Sequence, residues 1–182
     1  MLRRVGLLIL VAAVVGATEV SRNDAKAQSR DVPVEVIQVL DLPLNVHEAA
    51  LTKTEKGYFL KLSLGNSTDL SMIGLRYSLA LIDSRNQLRP LVNRNEGFSI
   101  PAYERKTLTF QTPIKFKQKD GERVLLMLEQ VISRESIWEV VKAKDALEAY
   151  ARGDFSVVPT VLRVANQIDA RPDGRAPIFR RN

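Results

Sequence analysis

Apolar and polar residues alternate along much of the chain between positions 32 and 140. Alternation at period two sends successive side chains to opposite faces of a β-strand, so one face can be buried while the other meets water. Val32, Val34, Ile37 and Val39 open the first such stretch, and Leu44 to Lys53 offers a second. Between Tyr58 and Leu64, one face carries Tyr58, Leu60, Leu62 and Leu64, and the other Phe59, Lys61 and Ser63. Gly57 before this run and Gly65-Asn66-Ser67-Thr68-Asp69 after it supply turn chemistry. Ile73, Leu75, Tyr77, Leu79 and Leu81 form the apolar face of the next strand, which Asp83 to Asn86 closes as a turn. Gln87 to Val92 predicts a short partner, confined to an edge or a bulge because Pro90 cannot donate to a ladder. Asn93 to Gly97 reads as a loop, and Lys106 to Gln111 alternates again with Leu108 and Phe110 inward. Val124 to Ile132 is apolar on both faces, the pattern of a central strand, and Ser133 to Ser136 turns it into Ile137–Val140.

One segment departs from this rhythm. Ala143, Ala146, Leu147 and Tyr150 fall at the spacing of an amphipathic helix near 142–152, with Gly153 placed to end it in a left-handed conformation. Val157 to Val161 then resumes extended structure. Seven or eight short strands separated by turns predict an all-β domain over residues 32–165. The expected form is an immunoglobulin-like or fibronectin-III-like two-sheet antiparallel sandwich with one short C-terminal helix.

The N-terminus has a different character. Arg3 and Arg4 precede the uncharged run Val5–Thr18, and Ala25-Lys26-Ala27 has the small-x-small form of a cleavage site. This order is that of a secretory signal, predicting residues 1–27 as a leader cut between Ala27 and Gln28, with Val15-Gly16-Ala17 as a second possible site. The apolar run is shorter than the roughly 20 residues a membrane-crossing helix needs. An uncleaved anchor is the competing reading. Residues 28–31 then read as a linker, and 166–182, with Arg171, Arg175, Arg180 and Arg181, as a flexible basic tail. A Sec-type leader predicts a periplasmic or secreted protein without stable membrane insertion after cleavage.

Composition narrows the chemistry. The chain has no cysteine, which excludes disulfides, thiolate metal sites and a cysteine nucleophile. The net charge of +6 includes +2 from residues 1–27 (Arg3, Arg4, Arg22 and Lys26 against Glu19 and Asp24), leaving +4 on the remainder. That falls short of the dense basic footprint of a nucleic-acid binder.

His47 is the single histidine, without nucleophile-elbow glycines nearby, and reads as a strand residue. Glu129, Glu135 and Glu139 lie near Trp138, so a carboxylate pair for glycoside hydrolysis is conceivable. The plainer reading puts Trp138 in the core and the glutamates toward solvent. Asp69, Asp83 and Asp120 occupy turns without the dense spacing of a calcium loop. Asn66-Ser67-Thr68 fits a glycosylation sequon but is read as a turn. No cofactor or metal site is expected. Lys115, Lys117 and Lys119 alternate with Phe116 and Gln118, which would place three ammonium groups on one side of a ribbon with Phe116 opposite. These lysines are the candidate contact surface, for anionic lipid, cell-wall polymer or an acidic partner, although charged edges also serve to discourage aggregation.

The stretch Gly65-Asn66-Ser67-Thr68 through Ile73–Asp83 resembles bacterial extracytoplasmic immunoglobulin-like sandwiches of the FxLYD type. Leu79-Ala80-Leu81-Ile82-Asp83 stands at the signature, keeping Leu81 and Asp83 and lacking both aromatics. The resemblance implies a sandwich fold and carries over no functional residue. The expected function is therefore an exported, non-enzymatic module binding a protein or envelope component. A glycan hydrolase and an inner-membrane-tethered assembly factor are the alternatives.

Overall fold

The computed structural model describes residues 31–166. The leader, its Ala27–Gln28 junction, residues 28–30 and the tail from 167 onward lie outside the described residues. The described chain runs β1 (Asp31–Ile37), β2 (Leu44–Thr54), β3 (Gly57–Asn66), β4 (Met72–Ile82), β5 (Leu88–Ile100), β6 (Arg105–Thr109), β7 (Arg123–Ser133), β8 (Ser136–Val141), α1 (Ala143–Ala151) and β9 (Thr160–Ala165). All-β is thus the right class, with one short helix.

The strands join in one mixed sheet of order β5-β4-β7-β1-β2-β3-β6, with β8 paired to β7 and β9 to β8. This corrects the expectation of a purely antiparallel arrangement. β1 changes partners midway. Asp31, Val32 and Pro33 run antiparallel to β2, whereas Val34 to Ile37 run parallel to Val124–Met127 of β7. Within the described residues, β1 is the hydrogen-bonded link between the two halves of the sheet.

The sheet curls until its halves meet. Tyr77 of β4 stacks on Phe110, just beyond β6, with ring centroids 5.8 Å apart. The alternation read from the sequence builds this core. Leu60, Leu62 and Leu64 of β3 are fully buried, as are Leu75, Tyr77 and Leu79 of β4. Each such side chain contributes about 1.5–3 kcal/mol by leaving water. β7, the apolar run, is buried along nearly its whole length because α1 covers part of its second face through Leu147, Ala146 and Ala151. Gly153 follows α1 at φ +74°, as its position suggested. Trp138 packs in the core under Arg163, whose guanidinium lies 4.9 Å from the ring centre.

Two local expectations fail. Asn93–Gly97 is not a loop: β5 continues through it to Ile100, paired with β4 from Ile82↔Leu88 to Met72↔Ile100. Pairing with a buried neighbour overrides the low strand propensity of Asn93 and Asn95. The register slips between Leu79↔Val92 and Ala80↔Pro90, so Pro90 stands beside a bulge on an edge strand, as its missing N–H requires. Second, Lys115–Lys119 is not a ribbon. Apart from the single bridge Tyr58↔Ile114, residues 111–121 join no ladder.

Candidate functional site

The irregular segment after β6 is held against the start of β3. Tyr58 N–H donates to Ile114 O at 2.9 Å, and Ile114 N–H donates to Tyr58 O at 2.7 Å. Gly57 makes this approach possible. It sits at φ +132°, and a Cβ there would lie 2.9 Å from the Ile114 carbonyl oxygen. Once docked, Phe116 turns inward onto Tyr58, with ring centroids 4.4 Å apart.

The consequence is a cavity of about 410 Å³ lined by Lys53, Lys56, Tyr58, Lys115, Phe116 and Lys117, with Glu55 as its acidic member. Lys53 and Lys56 come from the end of β2 and the turn that follows it, some 60 residues before the lysines they meet. Among the described residues, none of these four lysines forms an ion pair. The expected contact surface is therefore changed in composition. Lys115 and Lys117 are in it, joined by Lys53 and Lys56. Lys119 lies apart, in a turn where its backbone N–H donates to Glu122 Oε2 at 2.7 Å. A lysine pair flanking a hairpin turn was visible in the sequence, but its meeting with residues 115–117 depends on the Tyr58–Ile114 bridge.

A second polar constellation lies on the outer face of β4, β5, β7 and β8. The β4–β7 register slips between Arg76↔Gln130 and Tyr77↔Leu128, leaving Glu129 as the extra residue of a bulge. Its carboxylate accepts from Ser78 Oγ–H, and from Asn93 Nδ2 at 2.7 Å, and lies 3.2 Å from Arg76 Nε. Arg76 also donates to Glu139 at 2.8 Å. Glu129 is buried, which corrects the expectation that it faces solvent. A lone carboxylate inside an apolar run was the signal, since such a charge requires partners. Glu139 is half-exposed and shares the same guanidinium, while Glu135 is exposed in the β7–β8 turn. Arg76 bridges the two network carboxylates, so the arrangement locks four strands together.

The other sequence candidates are structural. His47 occupies a bulge of β2, exposed, with its ring where a side chain at Gly65 would stand. Asn66 is buried and staples two turns: Nδ2 donates to Leu70 O at 2.7 Å and Pro101 O at 2.8 Å, while Oδ1 accepts from Thr68 N–H at 3.0 Å. Asp83 accepts the N–H groups of Arg85 and Gln87, both at 2.9 Å. These bonds, that from Gln87 above all, hold its carboxyl below the usual range. Among the described residues, no group of three or more His, Asp or Glu is placed to hold a metal ion. No described helix is long and apolar enough to cross a membrane.

The sheet also offers free edges. β5, β6 and β9 each pair on one side only among the described residues. β5 carries Arg89, Arg94, Glu96, Pro90 and a bulge, and β6 is five residues long with Arg105 and Lys106. Such features blunt strand-to-strand pairing. β9, six residues long and preceded by Pro159, carries a single charged residue, Arg163, which is drawn onto Trp138. Leu162 and Val164 on β9 are 56% and 51% exposed, and Val158 just before it 67%.

The chain matches no protein-family model, no curated protein and no solved structure in the comparisons made.

Proposed function

We propose that this chain is an exported, non-enzymatic module that works by surface contact, holding a protein of the cell envelope through the open edge of β9. In this reading the curled sheet is an immunoglobulin-like sandwich whose two layers are joined through β1. A leader like that of residues 1–27 would deliver it outside the cytoplasm, to the periplasm or medium. The supporting observation is the contrast among edges. Two of the three carry two or more charged residues, with a proline and a bulge on β5, whereas β9 presents apolar side chains beside backbone groups that are unpaired among the described residues. A partner strand adding to such an edge gains main-chain hydrogen bonds for affinity and side-chain contacts for specificity.

The test compares proteins retained from envelope extract by the wild-type chain and by Leu162→Lys/Val164→Lys. Both positions are already exposed, so the fold is retained. Loss of a retained protein with the double variant supports the reading. An identical retained set from both chains overturns it.

A further inference from the structure

We infer that the cavity between the β2–β3 turn and residues 115–117 is a binding site for the phosphate-bearing headgroup of an anionic phospholipid. Four features point there, and none depends on the β9 edge. Lys53, Lys56, Lys115 and Lys117 line one concavity, and none is paired with a carboxylate among the described residues. Glu55 is the one carboxylate in the lining, so four ammonium groups face a single negative charge, and an arriving anion relieves the repulsion that remains. Next, the cavity has an apolar wall. Tyr58 and Phe116 are half-buried and in contact, offering ring surface between the ammonium groups. Lysine beside aromatic surface is the pairing that favours the boundary between headgroups and acyl chains.

The third feature is shape. The hollow, about 410 Å³, is open to solvent over much of its surface, and the lysines lie around it. A single headgroup fits such a pocket, whereas an extended polyanion is held by a track of charge. Finally, the site is built. Gly57 has the one backbone conformation and the one missing side chain that let Pro113 and Ile114 close against β3. That closure brings Lys115 and Lys117 to Lys53 and Lys56.

The experiment is flotation of the full chain with vesicles of phosphatidylcholine, with and without phosphatidylglycerol. Wild type and variants carry the same residues 1–30, so their difference reads the cavity. Binding that requires phosphatidylglycerol is expected, and Lys53→Gln/Lys115→Gln should weaken it roughly thirtyfold, about fivefold per lysine near a charged surface. Lys56→Gln/Lys117→Gln, the other pair, should weaken it equally. The charge-matched control Arg134→Gln/Lys144→Gln, at two exposed positions elsewhere, should change it less than about threefold. Equal losses for all three double variants would show diffuse attraction and overturn the site, as would no loss in either cavity variant. Release by inorganic phosphate, but not by chloride at matched ionic strength, would assign the cavity to free phosphate and overturn the lipid assignment.

Discussion

Replacing Tyr77 by Phe removes one atom whose environment is unusually well defined. Tyr77 is fully buried in β4, and its hydroxyl makes no hydrogen bond of good geometry among the described residues, with the Arg94 guanidinium as a polar neighbour. A buried polar group without a partner costs about 1–3 kcal/mol. Phenylalanine keeps the ring, and with it the stack on Phe110. Deleting the oxygen also forfeits its few dispersion contacts, so a net gain of about 1 kcal/mol is expected. In urea unfolding followed by far-ultraviolet dichroism, that gain moves the midpoint up by roughly 0.5 M, taking a slope of about 2 kcal/mol/M.

The pH dependence supplies a second readout. Burial pushes the Tyr77 phenol up to about 12 from its ordinary 10.0, with Glu96 adding to the rise and Arg94 opposing it. The folded state therefore holds this proton more tightly than the unfolded chain. Its contribution to stability is complete below about pH 10 and is lost as pH rises through 12. Tyr77→Phe lacks that loss, so its advantage over wild type should widen across the same window. A variant less stable by 1 kcal/mol or more at neutral pH would refute the reasoning, because it would mean that the hydroxyl is hydrogen-bonded in solution.

Other substitutions probe the remaining joints. Asn66→Ala removes the only side-chain donor to the Pro101 carbonyl among the described residues and the shorter of two to Leu70 O, and should cost about 2–3 kcal/mol in chemical denaturation. Gly57→Ala meets both a positive φ and the Ile114 carbonyl; a loss of at least about 1 kcal/mol is expected in urea unfolding. Arg76→Ala strips Glu129 of its counter-charge and should destabilise by about 2 kcal/mol, less than for a fully buried pair because Arg76 is 30% exposed. Arg76→Met/Glu129→Gln should recover most of that loss on thermal unfolding, since no buried charge then stands unpaired and Glu139, half-exposed, is left to water.

The faces of strands were legible in the sequence, and their partners were not. Leu60, Leu62 and Leu64, or Leu75, Tyr77 and Leu79, announce a buried side by spacing alone. Spacing cannot say that Val34 lies beside Val124 in a parallel pair, because both are apolar in either direction. The same limit hid the second half of β5. Asn93, Arg94 and Asn95 look like a loop by composition, yet Asn93 serves Glu129 and Arg94 donates to Thr112 O at 2.9 Å. Polar residues on an edge strand are read correctly only when their targets are known. For the candidate site, three basic positions were visible as Lys115, Lys117 and Lys119. The structure keeps two and adds two, because a backbone bridge and a glycine choose which lysines meet.

The divided loyalty of β1 has a consequence for how the molecule is made. A ribosome or an export channel releases residues 31–37 first, but the stretch they must lie along, 124–127, emerges last but two among the strands. Contacts so distant in the chain form slowly. During that wait Val34 and Val36 have no neighbour to shelter them, so a holding chaperone would find its target at this end of the nascent chain. Stabilising β7 should shorten the delay, and weakening it should leave Val34–Ile37 without a partner while Asp31–Pro33 already lies on β2.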